Sequence, residues 1–564
     1  MSDSLVATNR WVPEKYNVLL DVDVHKPNFH GALEFVLKNS TTSAHSQPFH
    51  LVLHAAKLVV LGATVNGHVV QVKNNPTNTT VELSSDSLPP ADYTGSLVHI
   101  KYLGTIKTLN SFEQTKGVFK FEIDDRVLIA TQTQPSFARM IYPCIDEPAF
   151  KVPMKLTVKT AKGLQVVGNN AVESEEVDPT GGTKTVSFVA TPPMLSSNFA
   201  FTIGDLQYVE STKTSVPIRV YCLREFGIKA PQVLAIAEKL VPLLTSRFGS
   251  FPLQKLDIIG VPYLTEGAME NWGAITVMQD YLFKDDVLQT QQLVAHELVH
   301  QWIGNLVSFD DWKYVWLNES FATFFGNHFV SIIDPSYSFV EELIDMSGRM
   351  VRTGDVNIQK FMNGVRLTGD TTTGELFNHQ VYEKGILMLR MIGNILDPNT
   401  IDNFEVFLAS MSKFVEAHRF ESIKASEIWQ FFLQEFDIDL LTFVSMWIRY
   451  DKFPFIQVSQ KNGELVIEQA QSKPYQFPLV VSTTERDYQF YIKDKTTKVK
   501  LDEQVVAVNK HRVALVKQDI SKKLVKDLEP HLGRLDALSY LIDYPDSGSG
   551  VHQMLQGVLR KQTK

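Results

Sequence analysis

Two histidines stand four residues apart in the segment 295-AHELVHQWIGNLVSF-309, and a glutamate directly follows the first of them. In an α-helix, His296 and His300 lie one turn apart on the same face, so both imidazole rings can reach one ion. Zinc–nitrogen bonds of about 2.0–2.1 Å suit that separation. The segment therefore predicts a helix that presents a pair of metal ligands. The alternative is a polar face on an ordinary amphipathic helix.

A third ligand is needed, because a catalytic zinc site has three protein ligands and one open position. Glu319 follows His300 after 18 intervening residues and begins an apolar helical run in 314-YVWLNESFATFF-325. From there its carboxylate can project towards a neighbouring helix. We predict that His296, His300 and Glu319 hold one zinc ion per chain. Glu297 would accept a proton from water without binding the metal.

A second segment with chemical content, 261-VPYLTEGAMENWGAIT-276, lies upstream of the histidine pair. A glycine at the start of an edge segment lets the backbone pass close to an extended peptide and pair with it as an added strand. The carboxylate of Glu270 can hold a free α-ammonium group. The alternative is a glycine-bearing turn before a strand, with Glu270 on a solvated edge.

Taken together, these segments resemble the M1 family of zinc aminopeptidases in the gluzincin group, of the eukaryotic cytosolic type. The resemblance rests on HExxH-x18-E, the flanking HQWxGN and WLNE, and the GAMEN signature. It covers about residues 10–545 and is strongest in 130–150 and 260–390. It implies that the GAMEN residues bind the substrate's N-terminus, so that the first peptide bond lies over the metal: Gly267, Ala268, Met269 and Glu270.

The resemblance also assigns a role to Tyr382, in 380-QVYEKGILMLRM-391. It matches the family's tyrosine that donates a hydrogen bond to the oxyanion as a zinc-activated water attacks the carbonyl. Judged from the residues alone, Tyr382 reads as a half-buried packing tyrosine before a helix.

The segment 130-ATQTQPSFARMIYPCIDEPAFK-151 resembles the family's stretch ending in PCFDEP, which lines the entrance to the active site. Gln134 stands where many members carry a second glutamate for the substrate's amine. A neutral amide accepts a hydrogen bond but supplies no charge, so we expect weaker amine capture or a changed side-chain preference. A further departure is Ser320, where the family usually has glycine.

The hydrophobic pattern predicts a multidomain chain. Alternating runs fill the first part, helical spacing with two short strands fills the middle, and alternation returns from Phe455. With the resemblance, we predict an N-terminal β-sandwich over 1–207, a thermolysin-like α+β zinc catalytic domain over 208–454 and a small β-sandwich over 455–518. We expect 519–564 to be the beginning of a helical domain.

Composition narrows the partners and the compartment. A net charge of -9 does not favour nucleic acid or an anionic membrane as a partner. No run approaches the ~18 apolar residues of a membrane span, and the start of the chain lacks the pattern of a secretory signal. The two cysteines, Cys144 and Cys222, have no metal or redox spacing and suit a reducing compartment. We therefore expect a cytoplasmic protein.

Three functions stay open at this point. The leading hypothesis is a zinc aminopeptidase that removes N-terminal residues from peptides or polypeptides. The alternative, motivated by Gln134, is a divergent family member that binds free N-termini of peptides or nascent chains and cleaves them weakly. An epoxide hydrolase of the leukotriene branch, which also carries glutamine at this position, is the third.

Overall fold

The computed structural model describes residues 4–40, 48–109, 113–365, 378–520, 524, 531–544 and 549–562. These residues divide into two compact units. The first comprises residues up to Asn318 together with Val415–Lys424. The second begins at Glu319 and holds most of the later helices and the last strands.

Strands fill the first part of the first unit, as the alternating sequence predicts. The burial of β3 alternates along its length because one face of the strand packs on the core and the other faces solvent. The strands are β1 Trp11–Pro13, β2 Tyr16–Asp21, β3 Asn28–Asn39, β4 Phe49–His54, β5 Val59–Val65, β6 His68–Asn75, β7 Thr80–Ser85, β8 Leu97–Thr108, β9 Gly117–Ile123, β10 Arg126–Gln132, β11 Lys151–Val152, β12 Met154–Ala161, β13 Gln165–Gly168, β14 Val172–Val177, β15 Thr183–Phe188, β16 Met194–Leu195 and β17 Phe201–Gly204.

Most of these strands join one large sheet. Its main path runs β13-β17-β10-β9-β8-β3-β2-β12-β15-β14, with β1 paired to β3 and β4–β7 attached through β5 and β8. The strands β11 and β16 pair with each other. Neighbours are mostly antiparallel, but β2 and β12 run parallel, with Val18 opposite Leu156.

A second sheet in the same unit carries the GAMEN segment. Its strands are β18 Gln207–Ser211, β19 Ile218–Cys222, β20 Leu256–Val261, β21 Ala268–Met269 and β22 Ala274–Met278, in the order β18-β19-β20-β22-β21. The two short strands predicted in the middle of the chain are β20, with the sequence LDIIGV, and β22, with the sequence AITVM. The short strand β21 lies at the edge, antiparallel to β22, with Met269 opposite Thr276.

Helices α1 Leu5–Thr8, α2 Ala230–Phe248, α3 Gln279–Leu282 and α4 Val287–His300 belong to the first unit, and α2 and α3 pack beside this sheet. Asp286 caps the N-terminus of α4, because its side chain accepts a hydrogen bond from the Gln289 N–H. The apolar residues of α4, such as Leu298, recur at helical spacing and are buried, and α4 packs on α2. Short 3₁₀ turns lie at Ala138–Met140, Ser196–Asn198, Arg224–Phe226 and Trp312–Tyr314.

Helices dominate the start of the second unit. They are α5 Val315–Ile333, whose first four residues belong to the first unit, then α6 Phe339–Thr353, α7 Ile358–Gly364, α8 His379–Leu396, α9 Glu405–Ala417, α10 Ala425–Phe436 and α11 Leu440–Arg449. Two short strands, β23 Ser308–Phe309 and β24 Ser422–Ile423, pair within the first unit.

The small β part follows with two sheets. The strands are β25 Phe455–Lys461, β26 Glu464–Gln469, β27 Phe477–Thr483, β28 Asp487–Ile492, β29 Thr496–Lys500, β30 Val505–Val508 and β31 Lys517–Ile520, in the orders β29-β26-β25-β31 and β28-β27-β30. A 3₁₀ turn lies at Lys510–Arg512. The alternation expected for 477–484 is wrong for β27, which is buried at every position, since helix α8 and the turn at Lys510–Arg512 pack against it.

Two helices, α12 Arg534–Asp543 and α13 Gly550–Gln562, end the described chain, and parts of the predicted helical segment 519–564 lie outside the described residues. The predicted fold class is confirmed: an all-β first part, a mixed middle part with the metal-site helix, then β-sheets and helices.

A buried ion pair ties α8 to the segment after it, and we expect its loss to destabilise the second unit. Arg390 donates from Nε and Nη2 to the two oxygens of Asp402 at 2.9 and 2.7 Å, and both side chains are almost fully buried. Burial alone would raise the pKa of Asp402, but the guanidinium holds that pKa below its usual range. Asp402→Asn should lower the free energy of unfolding by about 3–5 kcal/mol, because it leaves the guanidinium buried without its counter-charge.

Thermal melting and limited proteolysis of the full chain measure this loss. Glu464→Gln serves as the control, since it breaks the exposed pair with Lys498 in the same unit and should cost about 1 kcal/mol or less. Equal effects of the two substitutions would contradict the role given to the buried pair.

Candidate functional site

The three predicted metal ligands come together in the structure. His296 and His300 lie on one face of α4, with their Nε2 atoms 3.0 Å apart. Glu319 is the fifth residue of α5. The first turn of this helix begins at Val315 in the first unit. Ligand atoms of all three side chains lie within 4.8 Å of one another, and His300 and Glu319 are buried.

The chemistry of this donor set fits zinc. Two imidazoles and one carboxylate are a ligand set typical of catalytic zinc sites. A tetrahedral zinc ion with bonds of about 2.0–2.1 Å separates its ligand nitrogens by roughly 3.3 Å, close to the observed spacing. His300 Nδ1 lies 3.2 Å from the carbonyl oxygen of Ile303. A carbonyl only accepts, so the proton of His300 sits on Nδ1 and leaves the Nε2 lone pair for a metal.

The GAMEN segment places a buried carboxylate at the end of the edge strand. Gly267 has φ +84°, a conformation that favours glycine, and a side chain there would meet the ring of Tyr281. The strand β21 carries Ala268 and Met269, and Glu270 follows it with only 5% of its surface exposed. Gly267 thus turns the chain so that Glu270 is held inside the protein.

Gln134 and Glu270, from distant parts of the sequence, are brought together. Gln134 Nε2 donates to Glu270 Oε1 at 2.9 Å, and Gln134 is 5% exposed. The buried carboxylate therefore faces a neutral amide. A small pocket of about 20 Å³ lies beside the pair, with walls from both residues and from Leu195, Asn198, Trp312 and Asn318.

Glu297 lies in α4 directly after His296 and is 5% exposed. Tyr382 belongs to the second unit, in the first turn of α8, and is half-buried. Its backbone carbonyl lies 3.4 Å from Ser320 Oγ, so the serine that replaces the family's glycine joins α5 to α8. The catalytic roles of Glu297 and Tyr382 remain predictions.

The sequence alone assigns no role to Lys255, a buried lysine that anchors the segment after Glu270. Lys255 Nζ donates to the carbonyls of Gly168 and Gly273 at 2.5 and 2.6 Å and pairs with Asp257 at 2.8 Å. Burial lowers the pKa of Lys255 to about 8, against the opposing effect of Asp257. The contacts of Lys255 join positions far apart in the chain, so no local signal in the sequence identifies them.

A similar anchor holds the start of α8. Lys384, the lysine of the Y-x-K-G context formed by residues 382–385, is fully buried and pairs with Asp355 at 2.9 Å. It also donates to the carbonyls of Val356 and Tyr450 at 2.8 and 2.9 Å. This lysine fixes the helix turn that carries Tyr382, a role for which the Y-x-K-G context was the available signal.

Over the described ranges, the structure contains no helix that is both long and apolar enough to cross a membrane.

Comparisons with known proteins find family models that match the N-terminal and the middle part of the chain. The family model of the peptidase M1 N-terminal domain matches residues 12–197, and that of the peptidase family M1 domain matches residues 233–447. Protein TMA108 of Saccharomyces cerevisiae is 32% identical over 534 residues, which are 86% of this chain and 56% of that protein.

Two further relatives are named aminopeptidases. Aminopeptidase M1-B of Oryza sativa is 28% identical over 516 residues, covering 87% of this chain and 57% of the relative. Leucyl aminopeptidase of Saccharolobus solfataricus is 26% identical over 463 residues, covering 81% and 55%. The chain spans a little over half the length of these relatives.

Removal of one ligand side chain should strongly weaken metal binding. We expect one zinc ion per purified chain and at least ~100-fold weaker zinc affinity in His300→Ala and in Glu319→Ala, because each leaves only two protein ligands. Metal analysis and competition with a chelator of known affinity measure both quantities. His99→Ala, which removes a half-exposed histidine of β8, is the control and should keep full zinc content. Full zinc content in Glu319→Ala would contradict the three-ligand site.

Proposed function

The chain belongs to the M1 family of peptidases, and on that premise we propose that it is a zinc aminopeptidase acting on peptide and polypeptide N-termini. The observation that carries the proposal is the buried Gln134–Glu270 pair beside edge strand β21, in the same unit as the histidine pair of α4. One half of the site recognises a free amine and the other half supports hydrolysis.

We propose a separate role for each side chain of the site. His296, His300 and Glu319 would hold zinc, which would supply Lewis-acid polarisation of the first peptide carbonyl and lower the pKa of a bound water. Glu297 accepts the proton of the attacking water and passes it to the leaving amine. Tyr382 donates a hydrogen bond to the oxyanion that develops on the carbonyl oxygen.

Amine capture is assigned to the GAMEN residues and Gln134. The substrate pairs with edge strand β21 through Ala268 and Met269, close to the backbone of Gly267. Its α-ammonium sits against Glu270, which supplies a full negative charge in a buried setting where ion pairing is strong. Gln134 presents its carbonyl oxygen as a neutral second acceptor.

Cysteine usage supports a cytoplasmic setting for this activity. Cys144 and Cys222 are both buried free thiols, as expected in a reducing compartment. The net charge of -9 does not favour nucleic acid as a partner.

A second candidate function is favoured by one observation, the amide of Gln134 against Glu270. With a single carboxylate at the amine site, the protein would bind free N-termini of peptides or nascent chains and cleave them slowly. Turnover and binding therefore have to be measured separately.

The substitution Glu297→Gln should nearly abolish hydrolysis of aminoacyl chromogenic substrates. A general base contributes about 10²–10⁴-fold to the rate, and an amide cannot accept the water's proton. The zinc content should stay at one per chain, since Glu297 is not a ligand. Hydrolysis by the variant at the rate of the unsubstituted protein would eliminate the mechanism. Absence of hydrolysis by both, with retained peptide binding, would favour the second candidate.

The substitution Gln134→Glu should strengthen binding of free N-termini by about tenfold, because a second carboxylate then faces the α-ammonium. The KM for an aminoacyl substrate measures this when chemistry is slow relative to substrate release. An N-acetylated peptide is the control ligand and should gain no affinity. An unchanged KM would show that Gln134 does not contact the amine.

A further inference from the structure

We propose that Gln301 and Asn305 are positioning residues that fix Glu270 to the C-terminal end of the metal-site helix. The inference rests on the proposed function, because it assigns to these two amides the placement of the group that captures the substrate's amine. Neither residue is proposed to touch substrate or metal. Both belong to the first unit, as do α4 and the GAMEN segment.

The two side-chain amides converge on one acceptor. Gln301 Nε2 donates to the backbone carbonyl of Glu270 at 2.9 Å, and Asn305 Nδ2 donates to the same oxygen at 2.7 Å. Both side chains are almost completely buried, at 0% and 1% exposure. The two donors occupy both lone pairs of that carbonyl, so the peptide unit that carries the Glu270 side chain has a fixed orientation.

Gln301 contacts the loop at two further points. Its Oε1 accepts a hydrogen bond from the Gly273 N–H at 2.8 Å. Its backbone carbonyl accepts from Trp272 Nε1 at 3.0 Å. The segment from Glu270 to Gly273 is therefore tied to the residue that directly follows ligand His300.

Asn305 is itself held firmly at the helix end. Its backbone N–H donates to the carbonyl of His300 at 3.0 Å, and its backbone carbonyl accepts from Lys151 Nζ at 2.7 Å. Lys151 also donates to the carbonyl of Leu306 at 2.9 Å. The amide of Asn305 is thus a rigid donor, anchored to the last residue of α4 and to the segment 130–151.

These contacts give glutamine and asparagine a function that carboxylates cannot replace. A glutamate at 301 would keep the acceptor for the Gly273 N–H but would lose the donor to Glu270. It would instead place a carboxylate oxygen against the backbone carbonyl oxygen of Glu270. Each single substitution leaves the other amide as a donor to the carbonyl. It should therefore displace Glu270 without removing every contact of the loop.

The test measures binding of a fluorescent heptapeptide with a free N-terminus and of its N-acetylated twin. The full chain carries Glu297→Gln throughout, so that bound peptide stays intact, and zinc content and melting temperature are recorded for every variant. Gln301→Glu and Asn305→Leu are compared with the reference and with Gln289→Glu. That control makes the same chemical change at an exposed position near the start of α4.

The expected result is about a tenfold or larger rise in Kd for the free peptide in Gln301→Glu and in Asn305→Leu, with the twin's Kd unchanged. Zinc should remain at one per chain, and Gln289→Glu should match the reference. Combining either substitution with Glu270→Ala should give no further loss, because both act through the same carboxylate.

Several outcomes would overturn the inference. They are an unchanged ratio of the two Kd values, additivity with Glu270→Ala, or a loss of zinc or folded protein that accounts for the weaker binding. A reference that binds both peptides equally would refute the proposed function and the inference together. A reference that prefers the free peptide, with variants that prefer it equally, would refute the inference alone.

Discussion

A carboxylate held in the protein interior needs a compensating charge, and Glu270 constrains the site for that reason. Removing an ion from water costs several kcal/mol even after the surroundings relax. The hydrogen bond at the carboxylate's Oε1 comes from the neutral amide of Gln134, which offsets only part of that cost. A cation that enters the site would complete the pairing, and the α-ammonium of a peptide is such a cation. In the proposed function, this carboxylate would provide the selectivity for free N-termini.

In the proposed function, the distance between Glu270 and the predicted zinc ligands determines which peptide bond would be cut. Glu270 stands after an edge strand, whereas the histidines stand on α4, so two separately formed elements must be kept in register. The short segment from Gln301 to Asn305 joins them, since it leaves the helix and immediately contacts the loop. A displacement of about 1 Å in such an arrangement can cost about 10²-fold in rate. This makes the helix end as important to the proposed chemistry as the ligands.

Local patterns in the sequence predicted those parts of the site that depend on local structure. The i, i+4 spacing placed His296 and His300 on one helix face, and the glycine of GAMEN predicted the edge strand with its turn. The hydrogen bonds from Gln301 and Asn305 to the Glu270 carbonyl were not predictable, although both residues lie in the quoted HQWxGN motif. The direction of each side-chain amide depends on Lys151 and on the loop at 270–273, which are distant in the sequence. The uniform burial of β27 likewise depends on distant parts of the chain, since helix α8 packs against this strand.

The most direct test of the account follows the products of one peptide over time by mass spectrometry, using the zinc-loaded chain and an N-acetylated twin as the second substrate. The account predicts that residues leave the free peptide one at a time from its N-terminus, while the acetylated peptide stays intact. Internal cleavage of the acetylated peptide, or no cleavage of either peptide with one zinc bound per chain, would contradict it.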